Sequence, residues 1–224
     1  MLRRAFQANG RGMSIVIAVD GTAASGKGTL AKKLAAHFGF HYLDSGALYR
    51  LVALGVAEAG KDPHNEADAV AAAKALNCAR CGDPAIRTAE MGVGASIVSA
   101  HPAVRTALLD VQRAYAAKAP GAVIDGRDIG TVICPKATAK LFVDATPEVR
   151  AHRRWLELAA KGNPPEEAAV LADIISRDER DKSRAVAPLK PAEDAVLLDT
   201  TDLGVEAAFA AALAIVEPRI AAAR

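Results

Sequence analysis

The sequence predicts an α/β fold in which helices cover both faces of a five-stranded parallel sheet. Short apolar segments alternate along the chain with longer segments whose apolar residues recur at helical spacing. Several short segments are apolar without interruption, which is typical of strands that are buried on both faces. Polar clusters follow these segments directly, where a parallel sheet places its ligand-binding edge.

The composition favours one ordinary globular core and excludes several classes of protein. A chain of 224 residues with 51% hydrophobic content can form one domain, or one domain with a nested insertion. A net charge of +2 argues against a protein that coats nucleic acid or a membrane surface, and 4% aromatic content disfavours base stacking. The sequence has no apolar run of about 18 residues. We therefore expect a cytoplasmic protein without nucleic-acid or membrane partners.

The three cysteines do not form a disulfide framework, which predicts a reducing compartment. Cys78 and Cys81 make a lone CxxC that lacks the second ligand pair of a zinc site, so we expect neither a metal nor a redox role. Residues 1–12 are expected to be a disordered extension, with Met13 as the alternative start. Residues 13–224 are expected to form a single domain.

The first predicted strand leads into a glycine-rich turn at residues 21–27 that fits GxxxxGK. In such a loop, backbone N–H groups and the following helix N-terminus bind phosphate oxygens, and Lys27 reaches the outer phosphates. The hydroxyl residue that usually follows the lysine is replaced by Gly28 and reappears at Thr29. A glycine-rich turn without a ligand is the alternative, but the flanking strand and helix favour phosphate binding.

Further elements follow in alternating order. Leu30, Leu34 and Phe38 predict a helix that Gly39 ends, and residues 40–44 predict a second strand before a helix for which Ser45 is the expected N-cap. Later strands are expected at residues 121–128, 139–145 and 195–200, and a last helix at 205–216.

Two regions depart from simple alternation. Residues of about 60–104 combine loops and helices without a strong strand, which predicts a nested insertion. Residues of about 150–184 predict two helices separated by the turn GNPP, and we expect this hairpin to act as a lid over the site.

Three polar clusters should share the carboxyl edge of the sheet, namely Lys27, residues 44–50 and residues 125–128. A phosphate loop that faces arginines indicates two phosphorylated ligands, as phosphoryl transfer requires. Asp125 is a candidate Mg²⁺ ligand, although a solvated turn aspartate is the alternative. Arg127 and Asp128 could equally pair with each other at the surface.

The charged run RDERDKSR at residues 177–184 also has two readings. Helical spacing puts Arg177, Asp181 and Arg184 on one face, with Arg180 beside them. This pattern suits a solvated network of ion pairs. It also suits a lid that delivers arginines to phosphates.

Together these motifs resemble the bacterial cytidylate (CMP/dCMP) kinases. The matching segments are DGxxxSGKGT, LDSGALYR, DGRDIGT, FVDAxxExRAxRR and RDxRDxxRAVAPL, which occur in family order from about Ser14 to the last helix. LDSGALYR and RDERDKSRAVAPL are far more specific than the phosphate loop. The resemblance implies a P-loop kinase-type three-layer fold and Mg²⁺-dependent transfer of the γ-phosphoryl group of ATP to CMP or dCMP.

The resemblance also implies roles for particular residues. The ATP-binding set is Gly21, Thr22, Ala23, Ala24, Ser25, Gly26, Lys27, Gly28, Thr29, Arg153 and Arg154. The CMP-binding set is Ser45, Tyr49, Arg50, Ser96, Arg105, Arg127, Asp128, Arg177, Asp181 and Arg184. Lys27, Arg127, Arg177 and Asp125 form the expected catalytic set, and Thr29 with Asp125 the expected Mg²⁺ site.

One departure from the family concerns the insertion. Family members carry a small three-stranded sheet there, whereas CARCGDPA at residues 78–85 is too short for those strands. We therefore expect an abbreviated and mainly helical insertion that binds the nucleoside monophosphate.

Other functions stay open at this point. A P-loop kinase of AMP, UMP or a hydroxylated metabolite shares the phosphate loop. A GTP-binding switch should have an NKxD-type segment, which the sequence lacks. A non-catalytic nucleotide-binding module should have lost Lys27 or Asp125, and both are present. We expect a monomer, since the phosphate-transfer edge is complete within one chain.

Overall fold

A computed structural model describes residues 14–162 and 164–223. The expected extension at residues 1–12 and the alternative start at Met13 lie outside these residues. The chain divides into two compact units. Among the described residues, the first contains those up to Leu43 and those from Ala116 onward, and the second is Asp44–Tyr115.

The first unit is built on one five-stranded sheet with the order β2-β3-β1-β4-β5. The strands are β1 (Ile15–Gly21), β2 (His41–Asp44), β3 (Gly121–Gly126), β4 (Ala139–Asp144) and β5 (Val196–Asp199). β1 pairs in parallel with both β3 and β4, and β4 pairs in parallel with β5. The predicted α/β fold with a parallel sheet is confirmed.

The chain also forms eight α-helices among the described residues. They are α1 (Lys27–Phe38), α2 (Ser45–Glu58), α3 (Glu66–Lys74), α4 (Ala89–Val98), α5 (Pro102–Ala116), α6 (Pro147–Ala159), α7 (Glu167–Ser183) and α8 (Val205–Ala221). None of these described helices is both long and apolar enough to cross a membrane.

The sheet core explains why the strands are apolar throughout. Every residue of β3 is buried, so both of its faces are covered. Ile17 and Val19 of β1 share one apolar cluster with Leu34 of α1 and Val216 of α8. Gly39 ends α1 in the left-handed conformation, as the sequence predicts.

The α6–α7 hairpin begins at Pro147, which occupies the first helical turn behind the N-cap Thr146. Ala151 of α6 packs against Val170 and Ile174 of α7 in a small separate core. This packing forms the two-helix hairpin that the sequence predicts.

The second unit contains helices and two short 3₁₀ turns, Cys78–Gly82 and Pro84–Arg87, and no strand lies within residues 45–115. Its core includes Leu51, Ile86 and Met91. α2 and α4 approach so closely that a Cβ on Gly94 would lie 2.8 Å from the Cβ of Ala53. This part of the fold is helical, as the short CARCGDPA segment predicts.

One local prediction in this unit is wrong. The N-cap of α2 is Asp44 and not Ser45, because the Asp44 carboxylate accepts the Ala47 N–H at 3.0 Å. A carboxylate at this position also interacts favourably with the partial positive charge at the N-terminus of the helix. Ser45 is instead the first helical residue, and it is buried.

Gly21→Ala should destabilise the first unit. Gly21 has φ 153°, and a Cβ there would lie 1.9 Å from the Val143 carbonyl oxygen. Backbone atoms of a central strand cannot yield at low cost, so we expect a loss of about 3 kcal/mol in the free energy of unfolding. Urea denaturation measures this loss.

Gly82→Ala is the matched control, since nothing lies within 4 Å of a Cβ built at Gly82. Its free energy of unfolding should change by less than about 0.5 kcal/mol. Equal effects of the two substitutions would contradict the steric argument.

Candidate active site

The phosphate loop, residues 21–27, connects β1 to α1. Ala24 and Gly26 have φ values of 58° and 84°, so the chain twice enters the left-handed region. The Lys27 Nζ and the Ser25 hydroxyl each donate to the Thr22 carbonyl at 3.1 Å. The loop thus closes on its own second residue, and Lys27 lies on the loop as the GxxxxGK pattern predicts.

Residues at the ends of β4 and β5 form hydrogen bonds with this loop. The Thr22 hydroxyl donates to the Asp144 carboxylate at the end of β4. The Thr200 hydroxyl, just after β5, lies 3.2 Å from the Ser25 carbonyl, to which it can donate. Sequence reasoning did not single out Asp144 or Thr200, although both directly follow apolar runs.

Asp125 lies at the end of β3 and is buried. Its Oδ1 accepts the Tyr42 hydroxyl at 2.8 Å. Its Oδ2 would lie 3.5 Å from a Cβ at Gly28, so this oxygen faces the first turn of α1. Thr29 is exposed in the same turn. The predicted pair Asp125 and Thr29 therefore belongs to adjoining segments, and Tyr42 is a site residue that sequence reasoning missed.

These residues fit a magnesium ion by the chemistry of their donors. Mg²⁺ in nucleotide sites takes one or two protein oxygens and completes its shell with water and substrate phosphates. The Asp125 Oδ2, which faces Gly28 at the start of α1, and the exposed hydroxyl of the next residue, Thr29, supply such a set. Within the residues that the structure describes, no group of three or more His, Cys, Asp or Glu could hold a metal alone.

Arg127 and Asp181 form a buried ion pair, with 2.8 Å between the arginine Nε and the aspartate Oδ2. Burial alone would raise the pKa of Asp181, but Arg127, Arg177 and Arg184 act together to lower it. Burial lowers the pKa of Arg127, whereas the charges of Asp181, Asp125 and Asp178 raise it. The net effect is a raised pKa. Four of the predicted site residues therefore interact electrostatically, namely Arg127, Arg177, Asp181 and Arg184.

This cluster bears on the two readings of the charged run at residues 177–184. Asp181 has a side chain only 5% exposed, so its partners are not those of a solvated surface network. By contrast, Arg180 is exposed and donates to the Ser176 hydroxyl at 2.7 Å on its own helix. Only part of the run behaves as a surface ion network.

The two arginines of α6 differ in their surroundings. Arg153 donates to the Thr200 carbonyl at 2.6 Å and to the Thr200 hydroxyl at 3.1 Å, so it approaches the phosphate loop through Thr200. Arg154 pairs with Glu157 at 3.0 Å on the same helix, at the surface. The structure thus connects Arg153 to the loop residues, but it leaves Arg154 in a contact within its own helix.

Within the second unit, Arg105 is buried and its guanidinium lies 5.8 Å from the centre of the Tyr49 ring. Arg105 also donates to the Ser99 carbonyl at 3.4 Å, and Ser99 donates to the Ser96 carbonyl at 2.9 Å. Three predicted residues, Tyr49, Ser96 and Arg105, are therefore close neighbours across α2, α4 and α5.

Arg50 occupies a different part of the second unit. Its Nη1 donates to the Ile86 and Thr88 carbonyls at 3.0 and 3.2 Å. Gly92 leaves space for this guanidinium, since a Cβ there would lie 3.2 Å from Nη2. The IRT segment at residues 86–88 thus orients Arg50.

The CxxC cysteines lie in the 3₁₀ turn Cys78–Gly82 and are free thiols. Burial raises the pKa of the Cys81 thiol, and the nearby Cys78 adds to that effect. A raised thiol pKa reduces nucleophilic reactivity at neutral pH.

Asp20 is a buried carboxylate next to the loop that sequence reasoning missed. It accepts the Ile129 and Gly130 N–H groups at 2.8 and 2.7 Å, at the start of a single π-helical turn that follows Asp128. Burial raises the pKa of Asp20 to about 7, although the two N–H groups lower it and the nearby Asp128 adds to the rise. Asp20 thereby fixes the segment that carries Arg127 and Asp128.

The raised pKa of Asp20 makes stability depend on pH in a defined direction. Between its unfolded value of 3.8 and its folded value of about 7, the folded state binds the proton more tightly. This contribution to stability is full below about pH 3.8 and is lost as the pH rises through 7. It changes by about 1.4 kcal/mol per pH unit in that window.

Asp20→Asn removes this titration. The difference in the free energy of unfolding, wild type minus variant, should grow as the pH is lowered from 8 to 5. Urea titrations of both proteins at half-unit pH steps measure it. Parallel pH profiles of the two proteins would contradict the assignment.

The sheet, the phosphate loop and the arginine–aspartate cluster define a P-loop kinase, which is a phosphotransferase. Residues 17–218 match the model of the family described as cytidylate kinase. A "Cytidylate kinase" of Rhodopseudomonas palustris is 58% identical over 203 residues, which cover 91% of this chain and 96% of that protein. The "Cytidylate kinase" of Afipia carboxidovorans is also 58% identical, with 91% and 97% covered.

The chain belongs to the cytidylate kinase family, as its motifs predict. Among solved structures, an uncharacterised protein from Eubacterium ventriosum aligns with a TM-score of 0.52 at 14% identity, covering 91% of this chain and 99% of that one. At this identity the likeness concerns the fold alone.

Proposed function

We propose that this protein transfers the γ-phosphoryl group of ATP to CMP or dCMP, giving ADP and CDP or dCDP. The cluster of the buried Asp181 with the partly buried Arg127, Arg177 and Arg184 is the observation that carries the proposal, because it lies in the same unit as the phosphate loop. Membership of the cytidylate kinase family supports it.

ATP is the proposed ligand of the phosphate loop. The N-terminus of α1 has no side-chain cap, which suits the binding of a phosphate there. Lys27 would bind the outer phosphates, and Arg153 and Arg154 would approach from α6. Positioning and charge neutralisation supply most of the catalysis in phosphoryl transfer, so no general base is needed.

Mg²⁺ is the proposed cofactor, held by Asp125 and Thr29, partly through water. When bound, it would neutralise charge on the phosphates of ATP. The Tyr42 hydroxyl keeps one Asp125 oxygen engaged, which orients the other toward α1.

Arg50, Arg105 and Arg127 are proposed to bind the phosphate of the acceptor. Ser96, Asp128 and Arg184 are proposed to read cytosine, which offers an N4 donor and the O2 and N3 acceptors.

The remaining acceptor contacts concern the sugar and the rim of the pocket. Arg177 and Asp181 are proposed to lie near the ribose, and Ser45 and Tyr49 complete the set.

We further infer a monomer that acts in the cytoplasm on small-molecule substrates. The odd number of cysteines, three in all, does not suit a disulfide framework and favours a reducing compartment. The mass in solution from light scattering tests the oligomeric state.

The base assignment is tested by comparing acceptors. ADP formation from ATP and Mg²⁺ should be fastest, in terms of kcat/KM, with CMP and dCMP, and at least about tenfold slower with UMP and AMP, because one lost base contact costs about 1.4 kcal/mol or more. A coupled assay of ADP release measures all four. Equal rates with AMP or UMP would favour a kinase of another nucleoside monophosphate.

Arg184→Ala should reduce kcat/KM for CMP by about 30- to 1,000-fold, if the lost contact is a charged hydrogen bond worth about 2 to 4 kcal/mol. The affinity for ATP should change little, because the phosphate loop is untouched. Steady-state kinetics with each substrate varied in turn distinguish the two effects.

Arg180→Ala is the matched control, since it removes an exposed arginine from α7, the helix that Arg184 follows directly. It should leave both KM values unchanged. Unchanged CMP kinetics in the Arg184 variant would restore the surface ion-pair reading of this segment.

A further inference from the structure

Arg150 is a buried arginine that no part of the proposed site uses. It lies in the first turns of α6 and is 2% exposed. Burial of a guanidinium is costly unless its donors and its charge are satisfied. Its partners therefore indicate what the position requires.

Three segments of the first unit meet at this guanidinium. Nε donates to the Ala145 carbonyl at 2.8 Å, just after β4, and Nη1 donates to the Ala23 carbonyl at 3.1 Å, inside the phosphate loop. Nη2 lies 2.7 Å from the Asp178 Oδ2 on α7. One side chain thus joins the sheet, the loop and the α6–α7 hairpin.

The contact with Ala23 acts at a strained point of the loop. The next residue, Ala24, has φ 58°, which costs energy for a residue with a Cβ. Such a conformation persists only when surrounding contacts determine it. A charged donor on the preceding carbonyl is one of those contacts.

The contact with Asp178 acts on the helix that carries the arginine cluster. Asp178 follows Arg177 directly and precedes Asp181 by less than one turn. Its side chain is 9% exposed, and its Oδ1 has no hydrogen-bond partner among the described residues. The charge of Asp178 also acts on Arg127. Arg150 therefore balances a buried charge in the middle of α7.

We propose that Arg150 is a positioning residue that, neutralised by Asp178, fixes the phosphate loop and α7 at the same time. The proposal rests on the proposed function in assigning ATP to the loop and CMP to α7. A residue with this role should influence the binding of both nucleotides, whereas Arg184 should influence CMP alone.

Arg150→Lys is the first test. Lysine keeps the charge next to Asp178 but cannot direct planar donors to three segments. We expect about tenfold weaker ATP binding by calorimetry and about a tenfold higher KM for CMP, with kcat at saturation within about threefold of wild type. This split follows because no group that touches the substrates is removed.

Asp178→Asn is the second test, because it leaves Arg150 on its two carbonyl partners while the tie to α7 is weakened. The KM for CMP should rise severalfold, and ATP binding should stay within about twofold of wild type. If Arg150→Lys does not fold, Arg150→Met combined with Asp178→Leu removes both charges together, which is far less destabilising than removing one. This double variant should show the weakened binding of both nucleotides.

Asp194→Asn is the matched control. It weakens another short ion pair of a buried cation, between Lys140 and the 66% exposed Asp194 at 2.7 Å, and neither of these residues contacts Arg150 or Asp178 among the ion pairs of the described residues. Its ATP affinity and KM for CMP should equal those of wild type.

Wild-type affinities for both nucleotides in the folded Arg150 variants would overturn the proposal. A lower kcat at unchanged KM would also overturn it, since that is the result of a smaller folded fraction. The ATP arm is a binding measurement, so it decides the role of Arg150 at the loop even if CMP proves not to be the acceptor. In that case only the prediction for the wild-type acceptor assay, a preference for CMP and dCMP, is contradicted.

Discussion

The parallel pairing of β1 with both β3 and β4 is the constraint on which the site depends. The register sets Val19 beside Asp125 and Gly21 beside Val143, so the three strands end almost level. The loop, the Asp125 carboxylate and the Asp144 carboxylate follow from that level edge. Gly21 is required because the β4 backbone leaves no space for a Cβ.

Two ion pairs with little solvent exposure also distinguish this unit. Arg127 with Asp181 and Arg150 with Asp178 are two ion pairs with little exposure, and desolvation offsets much of their Coulombic attraction. They are therefore weak contributors to stability. Their value lies in position. An arginine held by a carboxylate loses little further freedom on binding a phosphate, as proposed for Arg127, and keeps its donors directed at the loop, as proposed for Arg150.

Much of the fold could be predicted from the sequence because it depends on local patterns. The strand positions, the loop, the Gly39 stop and the helical insertion each had a signal in spacing or composition. The Asp44 cap was assigned one residue late, because Asp and Ser are both good N-caps and only the end of β2 decides between them.

The supporting residues of the site could not be predicted in the same way. Tyr42, Asp20 and Arg150 each act on a residue more than 80 positions away in the sequence, so no local pattern reveals the partner. Arg150 lay within a family motif, but its burial became evident only from the structure. Sequence reasoning thus proposed a set of ligand-binding residues, but it missed residues that hold that set in place.

The carbonyl groups of the phosphate loop carry one more consequence. Thr22, Ala23 and Ser25 each have their carbonyl oxygen engaged by a protein donor, from Lys27 with Ser25, from Arg150 and from Thr200. The negative ends of these peptide dipoles are thereby neutralised from within. A phosphate bound to the loop as proposed would therefore meet less negative charge from these three peptide groups.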